Sequence, residues 1–161
     1  MRSRPVARFL LILPLAWYPL CFLHECGHAL SAWLGGASGI AIVWHAGFLP
    51  ETLRDGSRWP LADAWAGPVA GAVLPVLGFL VLRRTRVGDT ARHLAAITCL
   101  GHGLYLGCGW LDTGNDADQL RRLGVPVTML LAAGAMLLGG GLRLLLAAAA
   151  SVSAPPAGAD R

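Results

Sequence analysis

Five residues carry the clearest chemistry in this chain, His24-Glu25-Cys26-Gly27-His28, which write the pattern H-E-x-x-H. On a helix, side chains four apart share a face, so both imidazoles can reach one zinc ion with Glu25 beside them as a candidate general base. Two histidines and a water do not complete a protein zinc site, so a third protein ligand must come from elsewhere. The chain offers one compact acidic stretch, Trp110-Leu111-Asp112-Thr113-Gly114-Asn115-Asp116-Ala117-Asp118-Gln119-Leu120, in which any aspartate could instead serve as a helix cap. Asp112 and Asp116 are the candidates. The chemistry this set supports is metal-assisted hydrolysis of a peptide bond.

The elements that must position these residues are unusually apolar. Of 161 residues, 55% are hydrophobic and only 14% charged, and the mean hydropathy is +0.58. That composition lies outside the soluble range and predicts an all-α integral membrane protein. A spanning helix needs ~20 mostly apolar residues. Four segments reach that length: Phe9 to Leu34, Leu61 to Leu82, His93 to Leu111 and Val125 to Ala150. The first contains the H-E-x-x-H pattern. Its length, the lack of an A-x-A-like site after it and its continuation into the histidines argue against a cleaved signal peptide, although Arg2, Arg4 and Arg8 precede it. Pro14 and Pro19 should kink or loosen this helix. Residues 1–150 are expected to form a single membrane-embedded domain, with 151–161 a disordered Ala- and Pro-rich tail.

All basic residues are arginines, and they cluster at the edges of apolar runs, which suits membrane orientation better than nucleic-acid binding. Arg2, Arg4 and Arg8, and the loop carrying Arg83, Arg84, Arg86 and Arg92, are expected on the cytoplasmic side, with the N-terminus cytoplasmic. Arg121 and Arg122 would then fall on the outer side, a conflict that an irregular or re-entrant third segment would remove. Between the first two spans, Ile40-Ala41-Ile42-Val43-Trp44 is β-prone and Asp55-Gly56-Ser57 is a turn signal. They predict a short strand or hairpin, followed by an interfacial segment with Trp59 and Trp65 as belt residues. Cys21, Cys26, Cys99 and Cys108 all sit in apolar segments and read as buried hydrophobes.

The second span opens Ala66-Gly67-Pro68-Val69-Ala70-Gly71, and the third contains Gly101, Gly103, Gly107 and Gly109. Small residues at this spacing let membrane helices pack closely, and such thin faces could also admit an extended substrate beside the metal. At ~1.5 Å per residue, His24 lies ~24 Å beyond Arg8 and Asp112 ~30 Å beyond Arg92, which brings both sites to similar depth. A charge near the bilayer centre costs about 2.5–3.5 kcal/mol, so Glu25 calls for a polar cavity. His45 and His102 are lone histidines, better suited to structural hydrogen bonding than to catalysis. His102 shares its helix with the acidic stretch.

Together, HECGH in an apolar helix, a β-prone loop, an A-G-P helix opening and a late aspartate motif resemble the site-2 protease family of intramembrane zinc metalloproteases, over roughly Phe9 to Pro126. Leu111-Asp112-Thr113-Gly114 is similar to the family's L-D-G element. The stretch Gly114-Asn115-Asp116-Ala117-Asp118-Gln119-Leu120 followed by Gly124-Val125-Pro126 is similar to the G-D-x-x-x-L and G-x-P of small bacterial members, with one inserted Asn. The comparison narrowly favours Asp116 over Asp112 as third ligand. The asparagine-proline element of many members is absent. The resemblance implies a Zn2+ cofactor held by His24, His28 and one aspartate, Glu25 as catalytic base, a membrane protein substrate cleaved in or near its transmembrane segment, and residence in a bacterial inner membrane. A catalytically inactive metal- or substrate-binding membrane protein of the same family, and a small structural subunit of a transporter, stand as alternatives.

Overall fold

The computed structural model of the chain describes residues 4–44 and 49–153, with side chains described at 17–44 and 49–150. It is mostly helical. In chain order come α1 (Arg4–Leu34), β1 (Ser38–Val43), β2 (Glu51–Asp55), α2 (Pro60–Leu82), α3 (Gly88–Cys108), a 3-10 turn at Gly109–Leu111, the short α4 (Asp116–Arg122) and α5 (Val127–Ser153). Among the described residues three helical stretches, Pro60–Leu82, Gly88–Leu111 and Val127–Ala150, are long and apolar enough to cross a membrane. Arg2, His45 and residues 154–161 lie outside the described residues, and Ser151–Ser153 continue α5 instead of opening the tail.

Local sequence sets the helix ends. α1 runs continuously through Pro14 and Pro19 and stops where Gly36 adopts φ +75°. There the Gly36 and Ala37 N–H groups return to the carbonyls of Trp33 and Ala32, a glycine-dependent C-terminal cap. α2 starts with Pro60, whose missing N–H costs nothing in the first turn. α3 is a regular helix of 21 residues that runs on into the 3-10 turn at Gly109–Leu111. Arg121 and Arg122 are both ion-paired to Asp118, at 3.0 and 2.8 Å.

Helix contacts alternate in direction. Gly27 of α1 meets Ala66 and Ala70 of α2, Phe79 of α2 meets Arg92 of α3, and Gly103 and Leu100 of α3 meet Gly134 and Gly141 of α5. Successive long helices are therefore antiparallel. A Cβ at Gly134 would lie 2.7 Å from the Gly103 carbonyl oxygen, so the α3–α5 approach depends on small residues, as membrane packing requires. A buried cluster of Ala64, Leu106, Ala117, Leu120, Val125 and Leu130 clamps α4 against α2, α3 and α5, with Trp65 packed on it. Trp65 thus lies near the start of α2, partly buried against this cluster. The outer surface is apolar, with Leu77, Val81, Met136, Leu142 and Leu146 exposed. That pattern suits a lipid solvent.

β1 and β2 form the expected antiparallel hairpin, with Ile42 opposite Thr52 and Val43 opposite Glu51. The hairpin lies against α1 and brings β2 beside Glu25.

Candidate metal centre

One turn of α1 separates His24 from His28, and both rings turn toward α2 and α4. The two Nε2 atoms are 3.1 Å apart. Oδ2 of Asp116 lies 2.8 Å from the first and 3.2 Å from the second, which closes a nearly equilateral triangle. An ion held at ~2.0–2.1 Å in a tetrahedral site needs ligand atoms ~3.3 Å apart, so the three atoms fit such an ion with little adjustment. His24, Glu25 and His28 also form a group whose ligand atoms all lie within 4.8 Å of one another. His28 is 3% and Glu25 9% exposed, so the group is withdrawn from solvent.

Supporting hydrogen bonds fix which nitrogen of each ring points inward. Nδ1 of His28 donates to the backbone carbonyl of Asp63 at 2.5 Å. A carbonyl only accepts, so this nitrogen carries the proton and Nε2 is left with a lone pair. The other ring uses a longer relay. Nδ1 of His102 donates to the Thr98 carbonyl at 2.9 Å, which leaves its Nε2 to accept from Nδ1 of His24 at 3.0 Å. His24 in turn presents a bare Nε2. Two imidazole lone pairs and a carboxylate oxygen within 3.2 Å need a positive charge among them, either a proton on a ring or a metal ion. When a ring proton supplies that charge, burial still pushes the Asp116 carboxyl toward its neutral form, but the hydrogen bonds from His24 and then His28 hold it well below the usual carboxylate range.

Asp116 owes its place to the turn before it. Gly114 has φ +83°, a conformation that favours glycine, and Asn115 caps α4 by accepting the Asp118 N–H at 3.1 Å. The Asn115 amide also donates to the Gly109 carbonyl at 2.9 Å. The residue inserted relative to the small bacterial pattern is therefore the helix cap, and Asp116 follows as the first helical residue. Tyr105 sets its rotamer by donating to Oδ2 at 3.2 Å while accepting the Asp116 N–H at 2.9 Å. Asp118 faces the other way; Arg121, then the Gly114 N–H and Arg122, hold its carboxyl below the ordinary range. Asp112 lines the same cavity, but its Oδ1 accepts the neighbouring Thr113 N–H at 2.8 Å and no histidine contact reaches it.

Glycines on α2 permit the convergence. A Cβ at Gly67 would land on Nε2 of His28 and 2.6 Å from Nε2 of His24, and one at Gly71 would land on the His102 ring. The thin face of α2 is thus filled by the three histidine rings, not left open for a substrate segment.

Thr52, Asp63 and Tyr105 enter the site without a sequence signal. Thr52 on β2 donates to Oε2 of Glu25 at 2.8 Å, and Oε1 stands 3.9 Å from Nε2 of His24. Asp63, fully buried, accepts from Ser31 at 2.6 Å and lies 3.6 Å from Nε of Arg54, which ties β2 to the helices that hold the metal ligands. In front of the triangle lies a cavity of about 770 Å³ walled by α1, α3, β2 and the acidic stretch. Its size is within the usual range for ligand sites. No family model, curated protein or solved structure matches the chain.

Proposed function

We propose that this protein is a membrane-embedded zinc metalloendopeptidase, similar to the site-2 proteases, that hydrolyses peptide bonds in or near transmembrane segments of substrate proteins. The observation that carries the reading is the triangle of His24 Nε2, His28 Nε2 and Asp116 Oδ2 beside the carboxylate of Glu25. Two histidines and a carboxylate match the donor set of catalytic zinc sites that keep one position open. When bound, zinc supplies a Lewis acid and lowers the pKa of water to ~7.

The chain's own residues supply the rest. Oε1 of Glu25 faces the cavity side of the triangle and accepts a proton from the attacking water, then returns it to the departing amine. Thr52 holds the other carboxylate oxygen, which keeps Glu25 in that pose. A substrate helix hides its carbonyls in its own hydrogen bonds, so it must unwind locally to present one. The resemblance suggests a bacterial inner membrane, and the arginine distribution supports α1 as a fourth span with the N-terminus cytoplasmic.

Zinc per chain and cleavage of a reconstituted transmembrane substrate, measured on wild type and His24→Ala, test the proposal. About one zinc in the wild type, a loss in the variant, and turnover only in the wild type are expected. Bound zinc with no turnover on any substrate favours the inactive metal-binding relative, and no zinc at all sinks both. His102→Ala is expected to weaken zinc binding by about 10–100-fold, the usual worth of a hydrogen bond to a metal-ligating histidine. His102→Gln, whose side-chain oxygen can accept the same proton, should recover part of it in a competition assay with a chelating dye.

A further inference from the structure

Away from the metal centre, on the opposite end of the helices, α2, α3 and α5 leave a groove of about 430 Å³ on the outer face of the bundle. Val76 and Phe79 of α2, Cys99 of α3 and Gly140 of α5 line it, and its walls are almost wholly apolar, bordered by Arg92 and Arg143 mainly through their aliphatic stems. Arg143 is the one charged side chain in the 27 residues of α5. Among the described residues it has no ion-pair partner. An arginine placed within a membrane helix is expensive unless its head reaches the interface or an anion.

Arg92 is laid across the same groove. Its guanidinium sits 5.5 Å over the Phe79 ring, donates to the Ala147 carbonyl at 3.5 Å and stands 3.8 Å from the largely exposed carboxylate of Asp89. Arg92 comes four residues after the start of α3 and Arg143 ten before the end of the antiparallel α5, so they lie ~6 and ~15 Å from the helix ends on the side of the Arg83, Arg84 and Arg86 loop. From Arg92 the groove continues inward to Cys99, a further ~10 Å along α3. Gly140 keeps its floor open, because a Cβ there would meet nothing within 4 Å.

We propose that this groove binds an anionic phospholipid, with the phosphate between Arg92 and Arg143 and the upper part of one acyl chain lying over Gly140 toward Cys99. The charge selects the headgroup, and the apolar floor selects an acyl chain over a free anion. The inference rests on the membrane embedding proposed above.

Native mass spectrometry of the full chain in a neutral maltoside detergent tests it, with phosphatidylglycerol, phosphatidylcholine of the same chains and inorganic phosphate as the three probes. Phosphatidylglycerol should be retained about 25-fold better than phosphatidylcholine, since each of the two basic side chains near an anionic lipid is worth about fivefold. Arg143→Gln, at an exposed position, should lose about fivefold of that preference. Gly140→Leu extends into the groove from a Cβ position that meets nothing within 4 Å and should reduce retention of both lipids. Equal retention of the two lipids, an unaltered Arg143→Gln, or inorganic phosphate competing as well as the lipid overturns the site. A chain that stays monodisperse in water without detergent overturns the membrane reading itself, which separates the two failures.

Discussion

Glu25→Gln is expected to keep its metal and stop cleaving. Glutamine preserves the shape of the side chain, and its amide oxygen can still accept from Thr52, which donates to Oε2 of Glu25 at 2.8 Å in the native chain. What it cannot do is take up a proton from water. General-base contributions of this kind are worth ~10²–10⁴-fold in rate. Zinc per chain and turnover on a transmembrane substrate, measured on the same preparation, make the comparison. A Glu25→Gln enzyme with full activity removes the base from the mechanism, whatever its metal content.

The aspartates give the second large effect. Asp116→Ala removes one corner of a triangle whose other corners lie 2.8 and 3.2 Å away, and it leaves the two imidazoles without the carboxylate that touches both. Zinc affinity should fall by more than the ~10–100-fold that a supporting hydrogen bond is worth. Asp112→Ala should leave zinc affinity unchanged, because that carboxylate accepts from the Thr113 N–H. Titration of both variants against a chelating dye decides between them. The opposite ranking would return the third ligand to Asp112.

How much of this was legible before any coordinates differs from element to element. The histidine pair was legible because a single helical turn fixes the relation between residues 24 and 28, with nothing else required. The hairpin was legible from its β-prone run. The aspartate register was not, since it depends on a positive φ at Gly114 and on Asn115 capping α4, and the sequence alone leaves several residues able to cap. The role of the A-G-P-V-A-G stretch was misjudged for a related reason. Small residues announce a close approach but not the approaching group, and here the rings of His24, His28 and His102 fill the space proposed for substrate. Thr52 and Asp63 were invisible, because one acts across a hairpin and the other through its backbone carbonyl, which has no sequence signature.

Asp63 also limits how the hairpin can behave. One of its carboxylate oxygens accepts from Ser31, while the other has no hydrogen bond and faces only the guanidinium of Arg54 on β2. Swinging β2 away would take Arg54 from that fully buried carboxylate, so the ion pair resists separation of the hairpin from the helices. The hairpin wall of the cavity is thereby tied to the same helix, α2, that closes over the histidine rings.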